Sequence, residues 1–253
     1  MQLVDTHCHI HSTDYPLDKG EVIQRALEAG VGQMICVGTD QEDSAASVRF
    51  VQDQPHCWAS IGLHPHDAKT GVDAVDALAR LIDQPKVVAV GECGLDYFYN
   101  HSPRDMQAQL LHAQIELAVG HDLPLIFHVR EAFDDFWPIF DGYQGLRGVL
   151  HSFTDSQANL EKALARGLYI GVNGIATFTK DAEQTAMFRA IPIEKLLLET
   201  DAPFLTPAPK RGTVNEPAFV SLVAEYMAHL HAISPQELSA ATSRNATYLF
   251  RLT

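Results

Sequence analysis

Two imidazoles two residues apart close the first apolar run of the chain, His7 and His9 in LVDTHCH. Four more ionisable side chains end later apolar runs: Glu92 in VVAVGEC, His128 in PLIFHV, His151 in GVLHSF and Asp201 in LLLETDAP. Taken singly, each is an ordinary polar residue at the end of a strand. Together, four imidazoles and two carboxylates are too many for one catalytic zinc, which takes three protein ligands and keeps one position open. They suit two divalent cations roughly 3.5–4 Å apart that share a bridging carboxylate and a water. Such a pair acidifies the water and clamps the attacking and leaving oxygens of a displacement at phosphorus, or polarises a carbonyl. Glu92, on a middle strand, is the expected bridge. Asp5 and Glu199 lie one layer below the ligands and are expected either to orient them or to be buried acids paired with a neighbour for stability.

The elements that must position these groups alternate along the whole chain. Strands are expected at 3–9, 33–38, 57–63, 87–92, 125–128, 148–151, 169–172 and 196–200, nearly all apolar, as parallel strands buried on both faces should be. Period-two alternation puts Asp5, His7 and His9 on one face and Cys8 on the other, and likewise groups Val88, Val90 and Glu92. Between strands run helices with readable caps: Asp18 with Glu21, Asp40, Asp155, and a Ser234–Glu237 capping box with Pro235 at the first helical position, while Gly30 and Gly167 close helices. Eight strands with intervening helices over 253 residues favour a single (β/α)8 TIM barrel spanning 1–253, its metal site at the C-terminal ends of the strands.

Eighteen basic against 32 acidic residues leave a net charge of −14, which argues against broad electrostatic capture of duplex nucleic acid or an anionic membrane. It leaves room for an anionic substrate gripped locally by bound cations. No segment resembles a signal peptide or membrane span. Cys8, Cys36, Cys57 and Cys93 lie far apart on strands and read as buried, reduced thiols, so a cytoplasmic location is expected.

With these residues in view the chain resembles the TatD family of metal-dependent deoxyribonucleases, within the amidohydrolase-like barrel superfamily. The resemblance runs along essentially the whole length: DTHCH (5–9), GLHPH (62–66), VGECGLDY (90–97), LPLIFHVREA (123–132), HSF (151–153), ETDAP (199–203), LTPAPKRGTVNEP (205–217) and NATYLF (245–250). It implies two divalent metal ions (Mg, Mn or Zn), the first held by His7, His9, Glu92 and Asp201, the second by His128 and His151 with Glu92 shared. It further implies that Asp201 handles the proton of the attacking water, that His64 lies near the substrate phosphate, and that Arg211 faces the same mouth. Cys93 stands where the family often has isoleucine, and Ser152 where Cys or Gly is frequent. The loops around 14–18 and 100–104 match less well, which leaves substrate preference to them.

The expected function is hydrolysis of DNA phosphodiester bonds; the 3′-to-5′ direction and the single-strand preference come from the resemblance alone. DNA is the expected partner, with no membrane and no obligate protein partner. A deacylase or lactonase acting on C–N or C–O bonds is the alternative, since related barrels run that chemistry on the same centre. Among lesser candidates, Arg130 is expected to pair with Glu131 or Asp134 rather than contact an anionic substrate, His11 to be an exposed loop residue, and Tyr97 or Phe98 to offer a ring to a terminal base.

Overall fold

The computed structural model describes residues 2–99 and 101–252; position 100, in one of the poorly matching loops, lies outside them. The eight strands are β1 (Leu3–Cys8), β2 (Val31–Val37), β3 (Cys57–Ile61), β4 (Val87–Asp96), β5 (Leu125–Arg130), β6 (Gly148–Leu150), β7 (Tyr169–Val172) and β8 (Leu196–Leu198). Between them come α1 (Lys19–Glu28), α2 (Gln41–Gln52), α3 (Val75–Ala79), α4 (Arg104–Gly120), α5 (Phe133–Asp141), α6 (Gln157–Ala165), α7 (Ile175–Phe178) and α8 (Ala182–Ala190), with α9 (Val220–Leu230) and α10 (Pro235–Phe250) after β8. The strands form one sheet in the order β1 to β8. The chain beyond β8 returns to β1 through a parallel bridge between Cys8 and Ala202, with the His9 N–H on the Ala202 carbonyl at 2.8 Å. This is the expected (β/α)8 barrel. No helix among the described residues is long and apolar enough to cross a membrane.

The barrel is built from two compact units, Met1–Cys36 with Ser152–Thr253, and Val37–His151. In the first unit, Leu3, Met34, Ile35, Ile170 and Leu196–Leu198 are buried on the strands. Its helices are capped largely as the sequence requires: Asp18 accepts from the Glu21 N–H, and Ser234 and Glu237 form the full capping box. The cap of α6 is Ser156, not Asp155; Asp155 instead accepts from the Ser156 N–H, one residue early for a cap. His11 is buried, contrary to expectation, because its segment folds inward: the Tyr15 hydroxyl donates to the Asn215 carbonyl at 2.9 Å, and Lys19 donates to the His11 carbonyl.

In the second unit an aromatic cluster of Phe127, Phe136 and Phe140, with Phe133 and Trp137 stacked 5.3 Å apart, packs α5 on β5. Here β4 runs four residues past Glu92, to Asp96, and pairs in register with β5 so that Gly94 faces His128. Gly94 has φ 152°, and a Cβ there would fall on the His128 carbonyl oxygen. Only glycine lets the two backbones approach this closely. Gly94→Ala is expected to cost more than about 2 kcal/mol and to lower Tm by at least roughly 4 °C in a calorimetric scan; an unchanged Tm would show that β4 and β5 have slack here.

Candidate metal centre

Each unit carries its own set of atoms that could hold a metal ion. In the first, β1 delivers His7 and His9, and the turn after β8 delivers Asp201. The two Nε2 atoms lie 3.2 Å apart and reach Asp201 Oδ1 at 3.5 and 3.3 Å. Asp201 is at φ 60°, a left-handed conformation that Asp tolerates better than most residues, and its N–H on the His7 carbonyl at 2.8 Å fixes it against β1. Two nitrogens and one carboxylate oxygen converging this way fit the ligand chemistry of a divalent cation.

Beneath them Asp5 is fully buried. It accepts from the Thr200 N–H at 2.9 Å, the Thr200 hydroxyl at 2.6 Å and the His7 N–H at 3.3 Å. These bonds brace the residues flanking the ligands. Burial nonetheless raises the Asp5 carboxyl from 3.8 to about 8. Glu199 accepts from the backbone N–H of Ser152 at 2.6 Å, and Ser152 is the left-handed residue that follows His151.

In the second unit three imidazoles surround one oxygen. Glu92 Oε1 lies 2.9 Å from His128 Nδ1, 3.5 Å from His64 Nε2 and 3.6 Å from His151 Nε2. Burial pushes the Glu92 carboxyl up, but the His151 and His64 rings and the His128 hydrogen bond outweigh it, and the group stays ionised well below its ordinary range. His64, Glu92 and His128 are also close enough to share a cation. The Nδ1 of His64, however, accepts the His66 N–H at 3.2 Å, which places the ring proton on Nε2. Burial lowers the pKa of His64 to about 4, so at neutral pH it is an uncharged N–H donor.

Two residues of this unit did not stand out in the sequence, Asp96 and His66. Asp96 Oδ2 sits 2.9 Å from His128 Nε2 and 3.0 Å from His66 Nε2. It therefore grips the far side of the ring whose Nδ1 faces Glu92, the arrangement that fixes a ligand imidazole's tautomer. Held between two carboxylates, the ring has a raised pKa despite its burial, and a cation taking Nδ1 would displace that proton. Continuing the alternation Glu92, Gly94, Asp96 along β4 would have found Asp96. His66 lies in a second H-x-H, His64-Pro65-His66. Two buried glutamines of α4 complete the support: Gln114 bonds both the N–H and the carbonyl of Leu63, and Gln107 both those of Asp96.

Arg211 is exposed, with its guanidinium 3.9 Å over Phe178 and one N–H on the Thr206 carbonyl at 2.9 Å. Arg130 makes no ion pair with Glu131 or Asp134. It lies over the rings of Phe98 and Tyr99, at 3.9 and 4.9 Å, because β5 carries it to the exposed side of the loop after β4. Tyr97 is engaged by Asp135 and Arg104, so the rings that face outward are Phe98 and Tyr99.

A (β/α)8 barrel whose strand ends gather imidazole and carboxylate groups able to hold cations stands with the metal-dependent hydrolases. The sequence model of the TatD-related DNases matches residues 4–251, and the chain belongs to that family. It is 37% identical to a 3′-5′ ssDNA/RNA exonuclease TatD of Citrobacter rodentium, over 99% of this chain and 98% of the relative. It is 36% identical to the uncharacterised metal-dependent hydrolase YabD of Bacillus subtilis, over 99% of both. The crystal structure of YJJV, a TatD homologue from Escherichia coli K12, superposes with a TM-score of 0.93 at 30% identity, covering 99% of this chain and 98% of that one.

Two outcomes test the supports of the ligands. Asp96→Asn should weaken divalent-cation binding roughly 10–100-fold by titration calorimetry; unchanged affinity would reduce Asp96 to a loop anchor. Asp5 holds its proton more tightly folded (about 8) than unfolded (3.8). Its stabilising contribution is therefore complete below pH 4 and is lost as pH rises towards 8. In the metal-free protein, Asp5→Asn should remove that part of the stability loss between pH 4 and 8, read by urea denaturation; parallel pH curves would refute it.

Proposed function

We propose that this chain is a divalent-metal-dependent exonuclease that removes nucleotides from the 3′ end of single-stranded DNA. In this reading His7, His9 and Asp201 would hold one cation, and Glu92, His128 and His151 would hold another. The observation that carries it is the ligand set itself: a His–His–Asp triad at the ends of β1 and β8, and a buried ionised Glu92 ringed by imidazoles. Family membership directs that set to phosphodiesters, and the relatives named ssDNA/RNA exonucleases support the substrate and direction.

Bound cations of this class acidify water and neutralise charge developing on a phosphoryl group. The chain's own residues do the rest. Asp201 receives the proton of the attacking water. His64, uncharged and with its Nε2–H towards Glu92, stands near the substrate phosphate. Arg211 supplies positive charge at the mouth, and Asp5, Glu199 and Asp96 act as positioning residues. The new P–O bond forms to water as the bond to the preceding 3′ oxygen breaks, and that oxygen leaves protonated as a hydroxyl. Mg²⁺, Mn²⁺ and Zn²⁺ all suit the mixed ligands. Four buried cysteines suit a cytoplasmic, reducing location.

End-labelled single-stranded DNA incubated with Mg²⁺ or Mn²⁺ should shorten stepwise from its 3′ end, and EDTA should stop it. Turnover of an acyl ester or amide with no DNA cleavage under any metal would overturn the reading in favour of C–N or C–O hydrolysis. Glu92→Gln should reduce cleavage roughly 100-fold or more and lower bound metal by mass spectrometry, with the circular dichroism spectrum retained. Full activity with normal metal content would remove Glu92 from the ligand set.

A further inference from the structure

A ring with nearly half its surface in water leaves the end of β4. Phe98 is 49% exposed and its neighbour Tyr99 43%, although large apolar groups are ordinarily covered. Their exposure does not reflect a slack loop. Asp96 Oδ1 accepts the backbone N–H groups of both Phe98 and Tyr99, at 3.0 and 2.9 Å. The other oxygen of the same carboxylate holds the ligand ring His128 and its neighbour His66. One buried group thus ties the two exposed rings to a ligand of the metal centre.

The rings are also buttressed from the side. Phe98 meets Tyr99 edge to face at 4.7 Å, and Tyr99 stacks on His101 at 5.6 Å and 17°. The Arg130 guanidinium covers Phe98 from 3.9 Å and finds no carboxylate within ion-pair distance among the described residues. It stands two residues beyond His128 on β5. A cation backing a fixed, solvent-facing ring is how a protein builds a base-stacking surface with a phosphate-attracting edge.

We propose that Phe98, backed by Arg130 and braced by Tyr99, stacks a nucleobase of the substrate strand beside the phosphate held near His128. The inference rests on the nuclease reading and adds to it the element that recognises a base, with tolerance for sequence because every base has a π-face. It also gives an acidic protein a local cation on the path of the strand.

The test compares a thymidine oligomer with the same oligomer carrying base-free tetrahydrofuran residues at its three 3′-terminal positions. In the wild-type protein, removing the bases should raise KM roughly tenfold, within the range base–ring stacking provides. Phe98→Ala should raise KM for the natural oligomer by about as much, leave kcat far less affected, and abolish the difference between the two substrates. Phe98→Trp, which restores a π-face, should restore the difference. If Phe98→Ala keeps the full preference, or the wild type shows none, the platform is refuted while the nuclease reading stands. If the wild type cleaves neither oligomer with Mg²⁺ or Mn²⁺, the nuclease reading fails and the platform with it.

Discussion

A carboxylate removed from water and kept ionised is the constraint around which the second unit is organised. Glu92 is 4% exposed, and an isolated charge so placed would simply take up a proton. Three imidazoles reaching one oxygen prevent that, and each comes from a different segment: His64 from the turn after β3, His128 from β5 and His151 from the end of β6. Their convergence demands that β4 pair regularly with β5 beyond the shift between Val90 and Cys93, where Gly94 presses against the His128 carbonyl and two buried glutamines of α4 hold the backbone at Leu63 and Asp96. Packing, pairing and electrostatics here meet at the same few atoms.

Burial alone does not decide what an acid does. Asp5 and Glu92 are both buried, yet their carboxyls move in opposite directions. Asp5 accepts bonds from a hydroxyl and two amides, which are too weak to offset full desolvation, so it acts as a brace that can be neutral. Glu92 faces three rings, one of them His128 with its raised pKa, so it stays an anion fit to bind a cation. Asp96 is held low by two imidazoles and the amides of the following loop. A pair of acids whose surroundings push their pKa values apart is the usual sign of divided roles.

Much of this was legible in the sequence, for a physical reason. Parallel strands buried on both faces must be continuously apolar, so an ionisable residue ending such a run stands out, and His7, His9, Glu92, His128, His151 and Asp201 all did. Asp96 did not, because Gly94 after Glu92 looks like a turn, yet at φ 152° it lets β4 continue in close approach to β5. The inward fold of His11 and the partnership of Arg130 with rings rather than with Glu131 or Asp134 depend on segments distant in sequence. Local charge spacing carries no record of them.

The same logic reconciles an acidic chain with a polyanionic substrate. At a net charge of −14, long-range steering opposes nucleic acid, and a wide phosphate-binding face is out of reach. Under the proposed function the attractive terms would be short-ranged: cations held by imidazole and carboxylate groups, and a guanidinium held against the Phe98 ring. A guanidinium laid on an aromatic face keeps its outward N–H groups for a phosphate and needs no carboxylate to hold it in place. Short-ranged terms of this kind would favour a flexible strand end over a stiff duplex that would bring many phosphates against an acidic surface at once.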